Sequence, residues 1–368
     1  MRVLQVLPNS GVGGMQVVVE RLRTGLSQEG LDVRIVVGGS EFPEVAPRSL
    51  ASIRSARALR SLIEELDPDV VHGHGLRLAP LLSLATAFRP VPVVVTCHGL
   101  PPEQVVRTAG MLKLSRATTI ASCGPGPRDL LAAHGIRGPI LRNGTTSAPR
   151  SGNRTELMRS WGLPPEMRLF ISPGRLVPQK DHVTALRALR NLSDCALIII
   201  GEGPLRDALL VEIDVNDIAG RVRLLGWRDD VRSIMAIADA LLLPSRWEGH
   251  PLTVVESMMA GLPVVATDAP GLREWLVNDR TALLAPVGDS ATLERQLRRV
   301  LDDVPLRERL IQNGHREAEL YTLEAMVEDH LRLYRELVLP RYDRHQRRPP
   351  AKMRRAPASD LRSRSGSP

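Results

Sequence analysis

The sequence has little cysteine, no long apolar run and, over most of its length, almost no net charge. Its three cysteines, Cys97, Cys123 and Cys195, are odd in number, widely spaced and without a Cys-x-x-Cys pair. That pattern excludes a disulfide framework and suits a reducing cytosol. The longest apolar stretch, Leu76–Phe88, contains Arg77 and is too short to span a bilayer, so no membrane-spanning segment is expected. The opening MRVLQVLPNSG reads as a short strand and a turn, too brief for the apolar region of a signal peptide. The formal net charge is +8, but residues 341–368 carry nine basic residues against Asp343 and Asp360, which leaves residues 1–340 at +1. A nearly neutral body gives no argument for DNA or RNA binding.

What remains is a chain of 368 residues with 43% hydrophobic content, enough for two domains with substantial cores. Short β-like runs at Val3–Leu7, Val33–Val37, Val70–His72, Val91–Thr96 and Thr119–Ser122 alternate with amphipathic stretches such as Gln16–Leu26 and Ser55–Leu66. This rhythm predicts a parallel, doubly wound α/β sheet. The polar stretch NGTTSAPRSGNRTE (Asn143–Glu156) interrupts it and reads as a linker, residues 143–154. The alternation resumes at Leu169–Pro173, Ala196–Ile200, Val222–Leu225, Ala240–Leu243 and Pro263–Ala266. Two α/β domains, residues 1–142 and 155–322, with a ligand between them are therefore expected. A helical pattern at Leu323–Leu337 closes the folded region, and from Arg341 the Arg-, Pro- and Ser-rich chain reads as disordered.

In the second half, PSRWEGHPLTVVESMMAGLPVV (Pro244–Val265) places Glu248 in a loop after a strand and Glu256 about one turn into a helix that Pro251 is suited to open. Eight residues within one helix span ~12 Å and turn by ~80°, so the two carboxylates do not share a proton or a metal. Alone, the pattern reads as a helix-start carboxylate and a solvated helix Glu; two separate handholds on one extended ligand is the alternative, with Gly249 allowing close backbone approach. SPGRLVPQKD (Ser172–Asp181) offers Arg175 and Lys180 beyond a strand end, with Gly174 freeing the backbone. Two cations there suit a diphosphate, although the motif alone reads first as a solvated basic loop.

In the first half, SGVGGMQVVVE joins a strand to a helix N-terminus, a place for an anion. Its Gly11 and Gly13 lack the third glycine of a dinucleotide fingerprint, where Gln16 stands, and Gly38 and Gly39 replace the acidic residue expected after the second strand. NAD is therefore disfavoured. His72, His74 and His98 each arrive near a strand end. No carboxylate or cysteine pattern completes a metal site around them, and His72 and His74 read as structural hydrogen-bonding residues.

Taken in order, Arg175-x₄-Lys180, GEGPL (Gly201–Leu205), LLGWRDDV (Leu224–Val231) and Glu248-x₇-Glu256 followed by AGLPVVATD resemble the retaining nucleotide-sugar glycosyltransferases of glycosyltransferase family 4, with the GT-B fold. The resemblance runs over roughly residues 1–338. It implies that Arg175 and Lys180 hold the donor diphosphate, Glu256 the ribose hydroxyls and Glu248 the hydroxyls of the transferred sugar. It also implies backbone contacts from Gly249, His250, Pro251 and Leu252 beside phosphate and sugar, His98 touching the sugar from the first domain, and the Gly13–Gly14 loop covering phosphate and acceptor. The expected reaction moves a hexose-type unit from a UDP or GDP sugar to a hydroxyl acceptor with retention, needs no metal or other cofactor, and belongs to polysaccharide, glycolipid or glycoconjugate synthesis. A nucleotide-sugar epimerase of the same fold and a non-catalytic nucleotide-sugar sensor are the alternatives. Such enzymes often work at a membrane face, and Arg341–Arg364 offers an anionic surface ~1 kcal/mol per basic residue, which makes peripheral attachment an expectation.

Several positions depart from the family pattern: His250 replaces an aromatic, Arg142 a proline and Thr145 an aspartate, and NDRTALLAP (Asn278–Pro286) lacks two usual glycines.

Overall fold

The structure is a computed structural model and describes residues 1–9, 13–40, 50–113, 115, 118–147 and 152–346. The first sheet holds β1 (Arg2–Leu7), β2 (Asp32–Val37), β3 (Val70–His74), β4 (Val93–Cys97) and β5 (Thr118–Ser122), all parallel in the order β2-β1-β3-β4-β5. The second holds β6 (Arg168–Pro173), β7 (Cys195–Ile200), β8 (Val222–Leu224), β9 (Ala240–Leu243), β10 (Val264–Thr267) and β11 (Leu283–Ala285), in the order β11-β10-β9-β6-β7-β8. Helices return the chain between strands, as parallel pairing requires.

Continuous apolar runs form these strands because both faces are covered. In β7 every residue of CALIII is buried, and alternate side chains serve different cores. Ala196, Ile198 and Ile200 join one cluster with Ile171 and Val254; Leu197 and Ile199 join another with Phe170 and Leu186. β11 lies in the NDRTALLAP stretch that lacks the family's glycines. Asp279 takes the left-handed backbone there (φ 59°), a conformation Asp tolerates and Gly would otherwise supply.

Two crossings join the domains and run side by side. Thr145 N–H donates to Tyr321 O and Leu323 N–H to Thr145 O, each at 3.0 Å. Gly144 packs so closely on Thr322 that no Cβ fits. Arg142, at the family's proline position, makes a bidentate pair with the buried Asp329 at 2.6 and 2.9 Å and so ties the linker to the last helix.

That helix, Leu323–Gln346, leaves the second domain and lies on the first: Met326, Val327, Leu331 and Tyr334 pack on Val3, Val18, Leu22, Val70 and Val94. It continues past Pro340, where the sequence suggests disorder, because no further breaker follows until Pro349. The basic stretch after Gln346 lies outside the described residues, as does the Ser10–Val12 part of the glycine loop. No helix among the described residues is long and apolar enough to cross a membrane.

Candidate active site

The C-terminal strand ends of the two sheets meet. From the first domain, His98 and Gly99 follow β4, and Gly124 follows β5. From the second come Trp247, Gly249 and His250 in the loop between β9 and the helix Leu252–Met259. A Cβ on Gly249 would fall on the His98 carbonyl oxygen, and one on Gly124 would lie 2.9 Å from the His250 side chain. Asn143 Nδ2 donates to His250 O at 3.0 Å and pins the same loop to the linker.

Lys180 is tied to this loop, and Arg175 lies past the end of β6. Arg175, just past β6, is exposed and pairs with no side chain among the described residues. Lys180 ends a short 3₁₀ turn, Pro178–Lys180, and its Nζ donates to Glu248 Oε1 at 2.5 Å. Ser245 Oγ donates to the same oxygen at 2.5 Å. Gly174 leaves room for the Lys180 stem, which would lie 3.1 Å from a Cβ there. Glu248 is thus a buried carboxylate fixed by one ammonium and one hydroxyl, next to the domain junction.

Glu256 lies apart from Glu248, in a cluster the sequence did not reveal. Its Oε1 accepts from Arg21 of the first helix (Gly14–Gln28) at 2.8 Å, from Arg232 at 3.1 Å and from Thr145 Oγ1 at 3.2 Å. Thr145 Oγ1 in turn accepts from Arg21 at 2.7 Å and Arg232 at 2.5 Å. Both domains and the linker therefore converge on one carboxylate oxygen, and Oε2 carries none of these bonds. A second carboxylate at position 145, the family's usual aspartate, is replaced by a neutral hydroxyl that both arginines share.

Among the remaining sequence-selected residues, Gly13 and Gly14 open the first helix without a side-chain cap. Pro251 precedes the helix that Leu252 starts, and Leu252 is buried against the first domain's core. His250 lies at this loop edge through its backbone, the contact that the resemblance implies. Its ring is buried between Trp275 and Tyr321, with centroids 4.3 Å from each, and so replaces the family aromatic by stacking. Only its backbone belongs to the loop edge. Neither ring nitrogen has a partner among the described residues, and burial pushes the ring down to about 3.

The other histidines singled out from the sequence, His72, His74 and His98, form a row that runs from the first sheet to the junction. His72 Nδ1 meets Tyr334 OH at 2.5 Å and its Nε2 meets Thr96 Oγ1 at 2.7 Å. His74 Nδ1 meets His98 Nε2 at 3.0 Å. No metal-binding group of His, Cys, Asp and Glu occurs among the described residues, and the three cysteines are free and buried. Burial, with the nearby charge of His330, lowers His98 to about 4; burial alone dominates for His330, also about 4, and burial with Lys180 lowers His182 to about 4.

These shifts set a stability profile. The unfolded chain takes protons below the ordinary value of 6.5 that the folded chain refuses until about 4. Stability present above pH 6.5 is therefore lost as pH falls from 6.5 towards 4, at up to ~1.4 kcal/mol per pH unit for each such histidine. Urea unfolding at pH 7.5, 6.0 and 5.0 should show that decline. His250→Phe should keep the stack, raise stability at pH 7.5 by ~1 kcal/mol or more through loss of unpaired polar atoms, and flatten the acid slope by up to one proton.

Two parallel-sheet α/β domains whose C-terminal strand ends meet define the GT-B class. Two family models match, Glycosyltransferase Family 4 over residues 12–140 and Glycosyl transferases group 1 over residues 153–317. The chain belongs to glycosyltransferase family 4. It is 30% identical over 171 residues to the lipopolysaccharide core biosynthesis glycosyltransferase LpsE of Rhizobium meliloti, a match that takes in 46% of this chain and spans half (50%) of that relative's length. It is 28% identical over 283 residues to the UDP-Gal:alpha-D-GlcNAc-diphosphoundecaprenol alpha-1,3-galactosyltransferase of Escherichia coli, covering 70% of this chain and 73% of that one. The fold is also that of Anabaena HepE solved with UDP and glucose, with a TM-score of 0.77 at 19% identity over 91% of this chain and 100% of that one.

Proposed function

We propose that this chain is a retaining, metal-independent glycosyltransferase that moves a sugar from a nucleoside diphosphate sugar to a hydroxyl acceptor in cell-envelope polysaccharide or glycolipid synthesis. The observation that carries this reading is the exposed Arg175 past the end of β6 together with the Lys180–Glu248 pair, whose Glu248 adjoins the Gly249 contact with His98 of the other domain. Family membership and the relatives' lipopolysaccharide and diphosphoundecaprenol substrates support it.

The chemistry follows from charge. As the glycosidic bond breaks, the diphosphate gains negative charge and the sugar becomes cation-like. Arg175 and Lys180 stabilise the departing group in a site whose dipoles are already fixed. Glu248, held in place by Lys180 and Ser245, accepts from sugar hydroxyls. Glu256, whose Oε1 is anchored by Arg21, Arg232 and Thr145, offers Oε2 to the ribose. The acceptor attacks from the face the diphosphate leaves, and a phosphate oxygen takes its proton, so configuration is retained.

A thermal-shift panel of UDP-, GDP-, ADP- and TDP-sugars tests this. One donor class should stabilise the chain, by ~2.7 kcal/mol at 100 times its Kd, and its turnover should require an acceptor. No stabilisation by any member would sink the proposal, and turnover without acceptor would point to epimerisation. The two carboxylates separate by calorimetry. Glu256→Gln should weaken binding of the free nucleoside diphosphate, whereas Glu248→Gln should leave that binding nearly unchanged and impair transfer; the reverse order would exchange their roles.

A further inference from the structure

Gln5 is an anomaly in its strand. RVLQVL is otherwise apolar after Arg2, yet Gln5 is fully buried in the middle of the first sheet. Its register partner on β3 is His72, and β3 places His74 next to Thr96 of β4. The carboxamide faces His74: Gln5 Oε1 lies 3.2 Å from His74 Nε2. On the other side of the same ring, His74 Nδ1 lies 3.0 Å from His98 Nε2. His98 is half-buried at the domain junction, and its Nδ1 is shielded from solvent with no partner among the described residues.

Proton counting gives this row a direction. Burial holds both rings neutral, so each carries one N–H and one bare nitrogen. A carbonyl oxygen only accepts, so His74 donates through Nε2–H to Gln5 Oε1. His74 Nδ1 is then bare and accepts from Nε2–H of His98. That leaves His98 Nδ1 as an unprotonated acceptor, in the one ring of the row that reaches the junction. A lone imidazole would interchange its two tautomers freely; this one is held in a single state by a residue two strands away.

We infer that Gln5 and His74 are positioning residues that set the tautomer of His98, so that its Nδ1 accepts a hydrogen bond from a hydroxyl of the donor sugar. The inference rests on the donor reading above for the identity of the partner, whereas the tautomer relay rests on the distances, on the neutral rings and on the Gln5 carboxamide that turns its oxygen to His74, its buried Nε2 having no partner among the described residues. An acceptor at this point orients one sugar hydroxyl as a hydrogen-bond donor and complements Glu248, the acceptor on the opposite wall. Specificity for a hydroxyl over a missing or reversed group follows, because a buried acceptor left unpaired is costly.

The test uses the full chain labelled with ¹⁵N-histidine. Long-range ¹H–¹⁵N spectra at pH 7.5 should show His74 and His98 both as Nε2–H tautomers, with His98 assigned by loss of its signals in His98→Asn. Protonated Nδ1 at His98 would overturn the relay whatever the protein's substrate. Gln5→Leu should release the constraint and shift His98 towards a mixture of tautomers. His74→Leu should lower kcat roughly tenfold, the worth of one well-oriented hydrogen bond, while the Kd of the free nucleoside diphosphate stays unchanged. His74→Asn, whose Oδ1 keeps an acceptor near the Nδ1 position, should restore most of kcat; equal losses in the two variants would reduce His74 to packing. The sugar contact is read separately, by adding whichever of UDP-, GDP-, ADP- and TDP-glucose stabilises the chain most. The His98 Nδ1 resonance should move with the sugar nucleotide and not with the matching free diphosphate. Movement with both, or with neither, would remove the sugar from the proposal and leave the donor reading to the thermal-shift result.

Discussion

Arg175→Ala should lower kcat/KM by about 10²–10³-fold, the ~2.7–4 kcal/mol that one fixed donor to a developing anion is worth in the transition state. The fold should be almost untouched, because Arg175 is exposed and joins no side-chain pair among the described residues. That separation is what makes the prediction sharp. Lys180 does not offer it, since truncation there also strips a buried Glu248 of its ammonium. Steady-state kinetics beside a urea curve decides the matter. Wild-type kcat/KM in a folded Arg175→Ala protein would remove the diphosphate assignment, and a large loss of stability would mean that Arg175 holds structure.

Gly249→Ala should have a comparable effect by a different route. The added methyl would collide with the carbonyl of His98 across the domain junction, and backbone cannot give way there as a flexible side chain would. The two domains should then fail to meet at this edge, with His98 and Glu248 held apart by an ångström or more. A misplacement of that size costs about 10²-fold in rate. The clash lies between two backbone segments and removes no core side chain, so both domains should remain folded. Small-angle scattering should show a more open particle alongside the lost turnover. Unchanged kinetics would mean that close packing of Gly249 on His98 is dispensable for transfer.

The sheets were legible in the sequence because their strands are buried on both faces and so read as unbroken apolar runs bounded by turns. The partly buried Thr118–Ser122 and Val222–Leu224 were found instead, as Thr119–Ser122 and Val222–Leu225, from the alternation of β-like runs with helical patterns. Leu283–Ala285 was not, since three residues carry little pattern and the turn before it uses Asp279 where a glycine would have signalled it. The cation and carboxylate motifs were legible because each lies within one segment at a strand end. The Glu256 cluster was not, because Arg21, Thr145 and Arg232 come from a helix, a linker and another helix, and only folding brings them to one oxygen. The direction of the His250 ring was not legible for a related reason: spacing locates a residue on a loop but does not say which way its ring turns.

The last helix has a consequence for how the chain comes into being. One face of the first sheet, with Val3, Val70 and Val94, is covered by Met326, Val327 and Tyr334, which lie at the other end of the chain. During synthesis at ~5–20 residues per second, that face emerges and waits roughly ten seconds or more for its cover. The second domain, whose two clusters draw only on residues 158–321, can complete its core first. The domain made first is therefore the one finished last, and a nascent chain stalled before Met326 would leave that apolar face bare for chaperones or for other nascent chains.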